Sequence, residues 1–166
     1  SHTSPSADNM IKKAHAHPES VVPILETFQE AGVDTIMAPF SQVPVICRAV
    51  EEASEKTGKK FIMIDTPIIN VDDNPQARKE AMDVIRKGKE LGASLCLIHH
   101  SSAEQLVNKG KRTIERLGDY TSMIRDAGMV PGLSAHMPEL VVYSDLNEYD
   151  VQTYIQIYNC MGFMMQ

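Results

Sequence analysis

The stretch SLCLIHHSS, Ser94 to Ser102, combines the two features on which the fold and the candidate site depend. A short run rich in leucine and isoleucine ends at His99 and His100, and two serines follow. The run is apolar at consecutive positions, which is typical of a parallel β-strand buried between helices. A helical pattern that ends at Gly92 precedes it. We therefore interpret the stretch as the end of a strand in a unit made of a helix, a glycine and a strand.

The same unit recurs along the chain. Its helical parts end at five glycines separated by 26, 34, 36 and 34 residues: Gly32, Gly58, Gly92, Gly128 and Gly162. The apolar runs that follow predict strands over residues 33–38, 60–65, 93–100, 129–136 and 163–166. The last helix is predicted over residues 150–161, because Val151, Tyr154 and Tyr158 have helical spacing. Intervals of this length accommodate one strand and one returning helix, so successive strands should be parallel.

Parallel β/α repeats of the α/β class occur in two common architectures. One is the TIM barrel, and the alternative is an open doubly wound sheet of the flavodoxin type. The chain begins with SHTSPSADNM and ends with the apolar MGFMMQ, and these ends favour a piece of a longer parent. We therefore expect residues 1–166 to form a single β/α-repeat domain, as a partial TIM barrel and a fragment of a longer (β/α)8 barrel.

Two strings carry a resemblance to known proteins. PGLSAHMPE at residues 131–139 and DVQTYIQIYN at residues 150–159, with the β/α rhythm around them, resemble an uncharacterised group of microbial TIM-barrel proteins. The resemblance covers nearly the whole chain and implies the barrel fold. The group has no assigned chemistry, so no activity follows from it.

Composition narrows the range of partners. A formal net charge of −6 gives no cationic surface for nucleic acid or for an anionic membrane, so a small-molecule ligand is expected. Cys47, Cys96 and Cys160 are far apart and lie in apolar surroundings, which suits reduced thiols and a cytoplasmic location. No apolar run approaches the roughly 20 residues of a membrane helix. An incomplete barrel leaves strand edges exposed, so we expect a homo-oligomer formed through those edges.

Candidate site residues follow the predicted strands. Barrel enzymes place their sites at the carboxyl ends of the strands, where the loops share one mouth. Four of the six histidines fall at such positions, counting one after a strand that would precede the chain. The candidate catalytic residues are Asp65, His99, His100 and His136. His99 and His100 alternate along a strand, so both can face the mouth only if the strand has ended at Ile98.

These residue types allow two chemistries. Imidazole and carboxylate ligands from His2, Asp65, His100 and His136 could bind a divalent metal such as Zn, Mn, Fe or Co. The same groups could instead act as acid and base on a carbonyl compound, with substrate-binding roles for Ser101, Ser134 and Glu139. Each histidine could equally cap a strand end, and Asp65 could cap the turn in DTP.

The function predicted from these candidates is that of a TIM-barrel enzyme. It would be a metal-assisted lyase, isomerase or hydrolase acting on a small carbonyl or carboxylate substrate. The alternatives are a non-catalytic module that binds a small ligand and an inactive, truncated barrel.

Overall fold

The computed structural model describes residues 18–158 and 160–162. These divide into two compact units. The first comprises the described residues up to Ile36 together with Val43–Ile62, and the second comprises Met37–Gln42 together with the described residues from Met63 onward.

Helices and strands alternate along the described chain. A 3-10 turn at Pro18–Ser20 leads into α1 (Val22–Glu30), β1 (Thr35–Ala38), α2 (Val45–Thr57), β2 (Ile62–Asp65), α3 (Pro75–Glu90) and β3 (Leu95–Ile98). A short helix α4 (His100–Ala103), a 3-10 turn (Glu104–Leu106) and a hairpin of β4 (Val107–Asn108) and β5 (Thr113–Ile114) follow. The chain continues through α5 (Leu117–Asp126), β6 (Val130–Ala135), α6 (Pro138–Leu146) and β7 (Thr153–Gln156).

The first unit is built on the packing of α1 against α2. Leu25 of α1 and Ala53 of α2 are buried there. The Gln29 side chain accepts a hydrogen bond from Thr57 Oγ1 at 2.5 Å and donates one to the Lys59 carbonyl at 2.8 Å. Gly58 ends α2 with φ of 70°, a left-handed conformation that glycine adopts without strain.

The main sheet has five parallel strands in the order β1-β2-β3-β6-β7. The β3–β6 pair extends from Leu95 opposite Val130 to Ile98 opposite Leu133. The strands lie side by side in chain order, as in half of a barrel, whereas a doubly wound sheet reverses its order at a switch point. The prediction of an α/β fold with parallel β/α repeats is therefore confirmed.

Alternate residues of each strand line the two faces of the sheet in the second unit. Ile98 and Leu133 belong to a buried core with Ile85 of α3, Ile124 of α5 and Leu140 of α6. Neighbouring strand residues alternate, so Leu97, Gly132 and Thr153 share the opposite face. A Cβ at Gly132 would lie 2.7 Å from both Leu97 Cγ and Thr153 Cγ2. Glycine is therefore required there for β3, β6 and β7 to approach closely.

The prediction of a helix over residues 150–161 is wrong, because Thr153–Gln156 form β7 and pair with β6. The segment TYIQIY fits helical spacing and strand alternation equally well over so short a window, and its β-branched and aromatic residues favour the strand. The helix in this repeat is α6 instead, with Pro138 in its first turn. The strand predicted over residues 163–166 lies outside the described residues.

The segment between β3 and β6 also contains less helix than the repeated unit predicts. The helix that ends before Gly128 begins only at Leu117, because Thr113 and Ile114 pair with Asn108 and Val107 as a hairpin. Of the helices in the described ranges, none has both the length and the apolar character needed to cross a bilayer.

Helix α3 contacts the end of β2 at Gly88 and Asp65. Asp65 ends β2 with no exposed surface, and its side chain lies under α3. A Cβ on Gly88 would overlap Asp65 Oδ2. The absence of a side chain at Gly88 therefore lets α3 lie directly on the end of β2.

This contact predicts opposite effects for one substitution at two helical glycines. Gly88→Ala should destabilise the fold by about 1–3 kcal/mol, because overlap with Asp65 outweighs the gain in helix propensity. Gly118→Ala in α5 meets no atom within 4 Å and should be neutral or stabilising by up to about 1 kcal/mol. Urea unfolding of both variants measures the difference. A Gly88→Ala chain as stable as Gly118→Ala would contradict the packing described.

Candidate functional site

Three imidazole rings lie in contact at the carboxyl ends of β3 and β6, and we name them the histidine row: His99, His100 and His136. The ring centroids of His99 and His100 are 4.0 Å apart with planes at 40°. His100 and His136 stack at 3.6 Å and 17°. Because Ile98 lies opposite Leu133, the loops that follow the two strands leave the sheet at the same edge. The parallel pairing thus brings together histidines that are 36 residues apart in the chain.

His99 has a defined orientation because it caps α4. Its Nδ1 accepts the backbone N–H of Ser101 at 3.3 Å and lies 2.8 Å from Ser101 Oγ. A backbone N–H can only donate, so Nδ1 presents its lone pair and the neutral ring carries its proton on Nε2. Strand β3 ends at Ile98. The sequence predicts that both adjacent histidines can reach one site only if the strand ends there, and this condition is met.

The surroundings of the row lower the pKa of His99 and of His100. Burial lowers the pKa of His99, and the neighbouring His100 and His136 rings lower it further. The pKa of His100 is lowered first by burial and then by His136. The Glu104 carboxylate opposes both shifts because it favours the protonated rings. Neutral imidazoles with a nearby carboxylate can accept and release protons near neutral pH.

Glu104 is a member of the site that the sequence reasoning missed. One carboxylate oxygen, Oε1, accepts the backbone N–H groups of His136 at 2.8 Å and of Met137 at 3.1 Å. The available signal was spacing, because Glu104 follows His100 by four residues and helical residues at that spacing share a face. Glu104 thus joins the segment after β3 to the loop after β6.

The predicted substrate-binding residues lie on three elements, and one of them contacts the row. Ser101 contacts His99 from α4. Ser134 lies on β6 opposite Ile155 of β7. Glu139 begins α6 and pairs with Lys109 at 3.1 Å. Its pKa is lowered by a hydrogen bond from its own backbone and then by that lysine. His2 lies outside the described residues.

Asp65 does not join the histidine row. It lies opposite Cys96 on the face of the sheet that the helices cover. Its Oδ1 accepts the backbone N–H of Ser41 at 3.2 Å, while Oδ2 is buried without a hydrogen-bond partner. Burial raises the pKa of Asp65. Burial also raises the pKa of the Cys96 thiol, and the negative charge of Asp65 raises it further.

The arrangement of the row does not form a ready metal centre. The lone pairs of imidazole lie in the ring plane, so those of the stacked His100 and His136 lie in two separate, nearly parallel planes and do not meet at one point. Across residues 18–158 and 160–162, no three histidine, cysteine, aspartate or glutamate residues are grouped so as to hold a metal ion. Metal binding therefore stays a prediction from the sequence.

A polar cleft of about 350 Å³ lies within the first unit. It is lined by Glu26, Gln29, Glu30, Lys56, Thr57 and Lys59. Lys56 is already paired with Glu52 at 2.9 Å and with Glu26 at 3.6 Å. The charges that line the cleft are thus largely compensated.

Comparison with known proteins assigns no relative, because no family model, curated protein or solved structure matches the chain.

The geometry of the row predicts its behaviour in acid. At pH 7, long-range ¹⁵N–¹H spectra should show His99 protonated at Nε2 and bare at Nδ1. His99 and His100 should titrate below the ordinary histidine pKa of about 6.5. Because the folded chain disfavours the charged rings, the stability that the neutral rings contribute is present above that value and is lost as the pH falls.

The His99→Asn and His100→Asn variants assign the signals in this titration. A His99 ring that carries its proton on Nδ1, or that titrates above 6.5, would contradict the arrangement of the cap.

Proposed function

We propose that this protein is an acid–base enzyme of the lyase, isomerase or hydrolase type, acting on a small carbonyl or carboxylate compound at the histidine row. The observation that carries the proposal is the stacking of His136 on His100 across the ends of two neighbouring strands. Burial keeps His100 neutral at pH 7, so its imidazole has a free base form available there.

The row offers two complementary roles in such a reaction. A neutral imidazole nitrogen of His100 or His136 takes a proton from the carbon next to a carbonyl group, and the electrons of the C–H bond form an enolate. His99 carries its own proton on Nε2 and can donate a hydrogen bond to the enolate oxygen, where the negative charge develops. The base then returns its proton to the substrate or to a leaving group.

The proposed setting is a TIM barrel. The order of the five strands along the sheet follows the chain, which supports that architecture over a doubly wound sheet. In barrels the carboxyl edge of the strands carries the catalytic loops, and His99, His100 and His136 all follow that edge.

Hydrogen exchange at carbon tests the proposal without knowledge of the full reaction. The chain is incubated in D₂O at pH 7 with a panel of small 2-oxo acids, starting with pyruvate and 2-oxobutyrate. Loss of the C3 proton signal is followed by NMR against a protein-free blank. The proposal predicts faster exchange for at least one compound, and a loss of about 100-fold or more in His100→Asn and His136→Asn.

The control is Lys56→Ala, which changes the polar cleft of the first unit and should leave the exchange rate unchanged. Assays with and without added Zn²⁺ or Mn²⁺, with elemental analysis of the purified chain, test the predicted metal in the same samples. Exchange at the blank rate throughout the panel would contradict the proposal, as would full activity in both histidine variants.

A further inference from the structure

We propose that Glu104 is the positioning residue of the histidine row: its carboxylate holds the loop after β6 so that His136 stacks on His100. The inference rests on the proposed function only for its effect on turnover. The link between Glu104 and the stack is a separate, structural claim.

The hydrogen bonds of Glu104 place it between the two loops. Both of its contacts to the loop use backbone N–H groups, at His136 and Met137, and a carboxylate makes such bonds strong. Met137 directly precedes the first residue of α6, so the carboxylate also lies at the positive end of that helix. Without the carboxylate, two half-buried N–H groups would lose the acceptor that fixes their direction.

The segment that carries Glu104 is itself anchored. Ser102 has no exposed surface, and its hydroxyl donates to the Ile69 carbonyl and accepts the Ile69 N–H, each at 2.9 Å. His99 caps the start of α4 through Ser101. His100 and Glu104 are four residues apart on this fixed segment, so one rigid piece supplies both the stacking partner and the anchor of the opposite loop.

A second contact holds the same loop from the other side. Gln156 of β7 donates from Nε2 to the His136 carbonyl at 3.1 Å. This bond keeps the loop near β7, but it leaves the direction of the His136 N–H undetermined. Glu104 is therefore expected to control the stack, while the fold of the sheet does not depend on it.

Three substitutions separate reach from charge at this position. Glu104→Gln keeps an oxygen acceptor at the same distance and should retain the stack. Glu104→Asp keeps the charge but withdraws it by one methylene, and Glu104→Ala removes the acceptor, so both should lose the stack. Glu115→Ala is the matched control, because Glu115 bonds to Asn108, Lys111 and Thr113 and to no atom of the loop.

The readout is the set of cross-peaks between the ring protons of His100 and His136, together with amide exchange at His136 and Met137. In the Asp and Ala variants we expect the cross-peaks to vanish and exchange at both amides to accelerate about tenfold or more, as for loss of a charge-assisted hydrogen bond. The Gln and Glu115→Ala variants should keep the cross-peaks. If Glu104→Ala does not fold, the Asp and Gln pair decides.

Retained cross-peaks in the Asp variant, or their loss in the Gln variant, would overturn the proposal. These spectra need no substrate, so they separate it from the proposed function. Carbon exchange that persists when the stack is lost would remove the role of Glu104 in turnover. Spectra that agree with the expectation in a chain that exchanges no substrate proton would contradict the proposed function alone.

Discussion

The parallel pairing of β3 with β6 is the contact on which the rest of the site depends. Its register sets Ile98 opposite Leu133, so both strands end at the same level and release their loops at one edge. His99 and His100 follow one strand and His136 follows the other. Without this pairing the three imidazoles would belong to unrelated loops. With it, they form a row in which burial and mutual repulsion keep His99 and His100 uncharged at neutral pH.

The alternation of side chains along the strands explains why Asp65 and the histidines have different surroundings. Asp65 is still a strand residue, and its pairing with Cys96 fixes it on the face covered by helices. There it lies against Gly88 and away from solvent. His99 lies one residue beyond the end of β3, where strand alternation no longer applies and a helix cap sets the direction of the ring. Two polar residues at equivalent ends of neighbouring strands therefore have different environments.

Local signals in the sequence predicted much of the fold. Four helix ends were readable because glycine tolerates the left-handed conformation, and the glycines at residues 32, 58, 92 and 128, each of which follows a helix, all have positive φ. The start of α3 carries a local signal too, since the Asn74 side chain accepts the Ala77 N–H ahead of Pro75, and both residue types are common at these positions of a helix. The strand β7 was not readable, because five apolar positions within the eight residues 151–158 do not distinguish a helix from a strand.

The clustering of the three histidines was predictable from the sequence, whereas the positions of Asp65 and Glu104 were not. His99, His100 and His136 could be identified because each follows a predicted strand, and the carboxyl ends of parallel strands share one edge of the sheet. The face occupied by Asp65 depends on where β2 ends, and one residue of difference reverses it. Glu104 acts through backbone N–H groups of a distant loop, and such a contact leaves no pattern in the sequence except its spacing from His100.

The proposed function requires that a small carbonyl or carboxylate compound binds at the carboxyl edge of the sheet. The most direct test is a titration of the ¹⁵N-labelled chain with pyruvate at pH 7, followed through its amide signals. The signals that shift should cluster at residues 99–104 and 134–137. Shifts confined to the polar cleft around Lys56 and Lys59, or no shifts with pyruvate or with any other member of the 2-oxo acid panel, would contradict it.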